Sequence, residues 1–155
     1  MAQSPYVPAN GELPHWRDLP WLTMFAMRAC LELIRARLVF AKLEAKAILE
    51  RNQQARAKAW TYNQPNEQSL ARIAYVIPRL STRLPWRSDC MIQAIAAQNW
   101  LSSLRAYGEI QIGVENPKDG EFGAHAWLIC DETIVTGGDI ARYNPILAES
   151  QGTGD

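Results

Sequence analysis

The chain lacks most of what marks ligand-driven protein classes. Its 155 residues include three cysteines, at 30, 90 and 130, with no C-x-x-C pair, so neither a disulfide framework nor a structural zinc site follows. Histidine occurs only twice. No G-x-x-x-x-G-K-[ST] run is present, so the chain shows no phosphate-cradling loop and implies no cofactor. Sixteen basic and sixteen acidic residues cancel, which argues against general capture of nucleic acid or of an anionic membrane. The most apolar stretch, 22–41, is interrupted by Arg28, Glu32, Arg35 and Arg37, which a membrane span would not tolerate. The first residues, Met-Ala-Gln-Ser-Pro-Tyr-Val-Pro, have no basic region followed by an apolar one, unlike a signal peptide. The expected setting is cytoplasmic and reducing, where a free thiol can be functional.

What is present fits one domain with an ordinary core, at 48% apolar residues. Residues 1 to about 19 carry Pro5, Pro8, Gly11 and Pro14 and read as an irregular arm, with Asp18 and Pro20 at a helix start. From Trp21 to Gln64 there is neither glycine nor proline. One apolar series runs Leu22, Phe25, Ala29, Leu33, Ala36, Phe40; a second runs Met27, Leu31, Ile34, Leu38, Ala41. Arg28, Arg35, Lys42 and Lys46 share a remaining side. A surface helix buries one stripe, so the second either packs inside the domain or faces a partner. A helix beyond about 25 residues is unusual in a globular domain, so two helices without a visible breaker are the alternative.

Asn66 can cap a short helix bearing Leu70, Ile73, Ala74 and Ile77, closed by Pro78. Ser88 is a natural cap for a helix from Cys90 to about Arg105, buried through Cys90, Ala94, Ala97, Leu101 and Leu104 and ended by Gly108. Glu109 to Val114 alternates as a strand, and 116–123 is a polar loop. His125 to Cys130 and Thr133 to Gly137 form a hairpin. Tyr143 to Leu147 covers an edge, and the tail 150–155 is expected to be disordered. There are no repeats.

Chemistry points to Cys90 and His125. A cysteine in the opening turn of a helix feels free N–H groups and the positive dipole end, which stabilise a thiolate. Cys30 and Cys130 lack that setting. If Asp131-Glu132-Thr133 is a three-residue loop, the register sets His125 opposite Asp139, within reach of a shared face. A two-residue loop would set Gly138 there, and Gly137-Gly138 allows a bulge. Asp139 could hold one imidazole nitrogen and leave the other for a thiol. Asp131 sits at the turn, roughly 20 Å along the strand, and is set aside. Such residues suit covalent acyl transfer through a thioester. The Cys90 backbone N–H is an oxyanion donor, with Trp86 and Gln93 as side-chain candidates. A metal site from Cys90, His125, Cys130 and Asp139 is disfavoured, because Cys130 and His125 point to opposite strand faces.

The runs Arg83-Leu-Pro-Trp-Arg-Ser-Asp-Cys90, Gly108-Glu-Ile-Gln-Ile-Gly-Val114, Ala124-His-Ala-Trp127, Gly137-Gly-Asp139 and Tyr143-x-Pro-x-Leu147 resemble the lasso-peptide leader peptidases. These are small transglutaminase-like cysteine proteases, and the resemblance covers about residues 66 to 147. Met91 stands where the family most often has Leu. The resemblance implies an α+β fold with a minimal transglutaminase-like, papain-like core at 66–148: a Cys-bearing helix on a small antiparallel sheet. The arm and long helix, residues 1–65, precede that core as a packing or docking region, and 149–155 form the tail. It implies a Cys90, His125, Asp139 triad and, as substrate, a ribosomal precursor peptide whose leader is removed. The implied partners are a separate leader-binding protein and the lasso cyclase. The alternatives are an amine acyltransferase of transglutaminase type and a non-catalytic docking scaffold.

Overall fold

A computed structural model describes residues 19–42, 46–59, 65–86, 89–115 and 123–147. Four helices precede four strands: α1 (Leu19–Phe40), α2 (Lys46–Lys58), α3 (Glu67–Ser81), α4 (Cys90–Ser103), β1 (Glu109–Glu115), β2 (Ala124–Cys130), β3 (Thr133–Thr136) and β4 (Tyr143–Leu147). The strands form one antiparallel sheet in the order β3-β2-β1-β4. The fold is α+β. Tyr143–Leu147 does not merely cover an edge; it is the edge strand. The expected arm and tail, and the polar loop over 116–122, lie outside the described residues. No described helix is long and apolar enough to cross a membrane.

The segment free of glycine and proline is two helices, not one. Its first apolar series turns inward, with Ala29, Leu33 and Ala36 fully buried. On α2 the buried positions are Ile48, Asn52 and Ala55, spaced by four and three residues as one helical face requires. The two helices thus bury faces that one continuous helix would not align.

In α3 the Asn66 side chain accepts from the Gln68 N–H at 3.0 Å, as its position predicts. Pro78 does not close this helix, which continues to Ser81. A proline in the last turn forfeits one backbone bond there, and hydroxyls satisfy the exposed carbonyls. Ser81 Oγ donates to the Pro78 carbonyl at 2.6 Å and Thr82 Oγ1 to that of Arg79 at 2.9 Å.

The hub is α4. Ile92, Ala94, Ile95, Ala96, Ala97, Trp100 and Leu101 are all buried, with α1 and α3 on one side and the sheet on the other. Each large apolar side chain so buried stabilises by about 1.5–3 kcal/mol. Leu104, expected in that face, is 39% exposed, because the helix has already ended at Ser103. The stop is not Gly108 but Arg105, at φ 59°. The Ala106 N–H reaches the Leu101 carbonyl at 2.9 Å and the Arg105 N–H that of Ser102 at 3.1 Å, which is the Schellman pattern. Gly108 is small for another reason. A Cβ there would stand 2.9 Å from a Leu101 methyl and 3.2 Å from one of Leu128, where α4 meets β2.

Two neutral amides tie α2, α4 and β1 together in the interior. Asn52 donates to the Ile110 carbonyl at 2.9 Å and accepts from the Ile110 N–H at 3.0 Å. Gln98 Nε2 donates to Asn52 Oδ1 at 2.8 Å and to the Gly108 carbonyl at 3.0 Å. Both residues are almost fully buried, so losing either leaves orphaned polar groups. We predict that Asn52→Ala destabilises by about 2–4 kcal/mol in urea titration. An exposed-face control, Gln53→Ala, stays within about 0.5 kcal/mol.

Candidate active site

Cys90 is the first residue of α4 and is half-buried. The cap position is Asp89, not Ser88, which lies outside the described residues. The Asp89 side chain makes no capping bond, and the first intrahelical bond is Gln93 N–H to the Asp89 carbonyl at 3.1 Å. The amides of Cys90, Met91 and Ile92 therefore have no partner within the helix and stand at its positive end. Trp86, four residues earlier, has a buried indole N–H with no hydrogen-bond partner among the described residues. A buried donor without an acceptor is costly in a folded protein. Gln93 sits in the first turn of α4.

His125 is the second residue of β2, across from Gly113 of β1. Its Nε2 lies 2.7 Å from the Gly137 carbonyl oxygen. A carbonyl can only accept, so Nε2 carries the proton and Nδ1 holds the lone pair of the neutral ring. The ring is stacked against Tyr143, with centroids 4.7 Å apart and planes at 27°, and against Trp127 at 6.2 Å and 30°. Trp127 is held in turn by its indole N–H, which donates to Gln111 Oε1 at 2.9 Å.

The hairpin differs from the expected one. Cys130 pairs with Thr133 and Ile129 with Ile134, so the loop is the two residues Asp131-Glu132, with Asp131 at φ 52°. Leu128 then pairs with Thr136, and the shift leaves Val135 as an extra residue on β3. The ladder ends at Thr136. Gly137 and Gly138 follow at φ 109° and 65°, and the chain leaves the sheet. Asp139 lies in that exit loop, where Oδ1 accepts the Ala141 N–H at 3.0 Å. His125 and Asp139 line one cavity of about 350 Å³ with Gly137, Arg142 and Tyr143. Imidazole and carboxylate share the cavity, but the acceptor on the ring is the Gly137 carbonyl. The Arg142 cation at its mouth is favoured by the Tyr143 hydroxyl and then by Glu115 and Asp139.

Cys90 is not among the described residues lining that cavity. The α4 helix packs on the sheet face bearing Ile110, Leu128 and Cys130, and His125 and Trp127 alternate to the opposite face. A five-residue connection returns the chain from α4 into β1, so α4 begins at the end of the sheet where β2 begins. The first residue of α4 and the His125 position on β2 therefore fall toward the same end of the sheet. Cys130, also buried under α4, has its thiol pushed up to about 12 by burial, with the Asp131 charge adding to the effect.

Sequence reasoning passed over Gly137 and Tyr143. No local pattern identifies a backbone carbonyl as the imidazole's partner. The Tyr143 position was legible in principle, since a strand paired to β1 puts its alternate residues on the His125 face.

A helix that starts with cysteine, packed on an antiparallel sheet that carries histidine and aspartate at one end, defines a transglutaminase-like arrangement. The chain belongs to the transglutaminase-like superfamily, whose family model matches residues 30–148. No curated protein and no solved structure matches it.

Two outcomes follow. In Gly137→Ala a Cβ would fall 2.3 Å from that of Trp127 at a φ that L-residues rarely adopt, so stability drops by about 2 kcal/mol or more in urea titration. Cys130 stays a thiol, so at pH 9 iodoacetamide leaves it unmodified in the native protein and alkylates it in guanidinium, as peptide mass mapping reads directly.

Proposed function

We propose that the protein is a cysteine peptidase that removes the leader from a ribosomally made lasso-peptide precursor. The observation that carries this is the preset imidazole of His125. Nε2–H is committed to the Gly137 carbonyl, and Nδ1 is left as the base. Membership of the superfamily and the motifs around Cys90 and His125 support it further.

In the reaction the Cys90 sulfur attacks the scissile carbonyl while His125 Nδ1 holds the thiol proton. The oxyanion is stabilised by the free amides at the start of α4 and by the unpartnered Trp86 indole. Collapse expels the new N-terminal amine of the core peptide, protonated by the imidazolium, and leaves a thioester on Cys90. Water, deprotonated by His125, attacks that carbonyl, and the leader departs as a carboxylate. Asp139 supplies a second acceptor beside the ring. Catalysis requires His125 to reach Cys90 around the end of the sheet, a contact completed in the substrate complex. Superfamily chemistry equally permits an amine in place of water, and the product mass distinguishes the two.

The test combines the chain with precursor peptide and a leader-binding protein and follows masses over time. Cys90→Ala and His125→Ala each lower leader release by about 10³-fold or more. Undiminished release by Cys90→Ala would remove the thiolate from the reaction. Asp139→Asn costs only about tenfold, because the Gly137 carbonyl still holds the ring. Trp86→Phe keeps the fold and lowers kcat by about tenfold, the loss of one oxyanion donor.

A further inference from the structure

Five apolar side chains of α1 stand outside the core: Met24, Met27, Leu31, Ile34 and Leu38, from 40% exposed at Ile34 to 71% at Met27. Their spacing of 3, 4, 3 and 4 residues averages 3.5, the repeat that makes a narrow straight seam for another helix. At a rise of about 1.5 Å per residue the seam is about 21 Å long. The other stripe of α1, Ala29, Leu33 and Ala36, is already committed to the core. One face of α1 is filled and one is open.

The rims of the seam decide what fits it. One rim is Arg28, Arg35 and Lys42; the other is Thr23, Cys30 and Arg37. Neither contains an acid. Glu32 is buried and turned away from the seam, 2.8 Å from Arg28 and 3.1 Å from Arg35, so two cations share one carboxylate. Beside them opens a cavity of about 400 Å³, to which α2 adds Arg51 and Lys58 and α4 adds Asn99 and Ser102. Arg51 is held there by neutral acceptors, donating to Gln98 Oε1 at 3.2 Å and Asn99 Oδ1 at 2.7 Å. Arg28 Nε is buried with no hydrogen-bond partner among the described residues. Cations satisfied only by neutral groups gain from an incoming carboxylate.

We propose that the α1 seam and its basic rim form a docking site for an amphipathic helix of a partner protein, with apolar side chains at 3.5-residue spacing and Asp or Glu beside them. The inference stands whether or not Cys90 is a nucleophile. A second copy of this chain fits poorly, since antiparallel pairing of α1 with α1 sets Arg28, Arg35 and Lys42 of one copy against the same cations of the other. A membrane surface leaves the concave basic cavity unused. Trp21, the aromatic nearest the start of the seam, packs inward on Phe25 and Tyr75 beneath Arg72.

The probe is a fluorescein-labelled synthetic helix of three heptads with Leu and Ile in its seam and Glu on both rims. Its counterpart has Lys on the rims, and both are titrated with the full chain in fluorescence anisotropy. The Glu helix binds at least about tenfold more tightly than the Lys helix at low salt, and the gap narrows as salt rises. Leu31→Gln with Leu38→Gln, both exposed, weakens binding about tenfold or more while the thermal unfolding curve is unchanged. Arg35→Gln with Lys58→Gln removes the preference for Glu. Equal binding of the two helices, or unaltered binding by the Leu31→Gln, Leu38→Gln protein, overturns the proposal. So does a dimer in sedimentation equilibrium, or capture by phosphatidylcholine–phosphatidylserine vesicles, that the same two substitutions abolish. The first would assign the seam to a second copy and the other to a membrane.

Discussion

The amide of Gln98 is the contact on which the rest of the structure depends. It lies eight residues into α4 from Cys90 and donates both to Asn52 of α2 and to the carbonyl of Gly108, just before β1. Asn52 completes the link by exchanging two bonds with the backbone of Ile110. Apolar packing alone lets a helix slide on a sheet by a fraction of a turn at little cost. Directional bonds between buried groups do not, because every slipped position strands a donor or an acceptor. The height of α4 against β1 is thereby set, and the start of α4 falls at the end of the sheet that carries His125.

What stands at that end is a site with two prepared halves. One is a helix start whose first amides have no partner within the helix, with a cysteine at its first position. The other is an imidazole clamped by a carbonyl and by two aromatic rings. The clamp relies on Gly137, since only a residue without Cβ can bring its carbonyl to Nε2 while the chain passes Trp127 this closely.

The helices and strands were legible because their period is written in side chains. The inward stripe of α1, the Asn66 cap and the alternation of β1 all follow from residue type and spacing. The division into α1 and α2 was not, since no glycine or proline marks it. Likewise Arg105 took the left-handed stop where Gly108 was expected, because the Ala106 and Arg105 amides reach back to Leu101 and Ser102 whatever the side chain is. In the hairpin two departures nearly cancel. The loop is one residue shorter than counted, and the extra Val135 restores the count beyond it. Asp139 thus comes near His125, yet past the end of the ladder, where the loop and not the register decides its direction. Cys90, His125 and Asp139 could be proposed from the chain; the Gly137 carbonyl on the imidazole could not.

The most direct test of the account is intact-mass measurement of the protein, acid-quenched during turnover of a lasso-peptide precursor with its leader-binding protein. An acyl-enzyme gives a species heavier by the leader less one water, and peptide mapping puts the adduct on Cys90 as a hydroxylamine-labile thioester. Leader release at full rate with no such adduct, or an adduct on another residue, would contradict it.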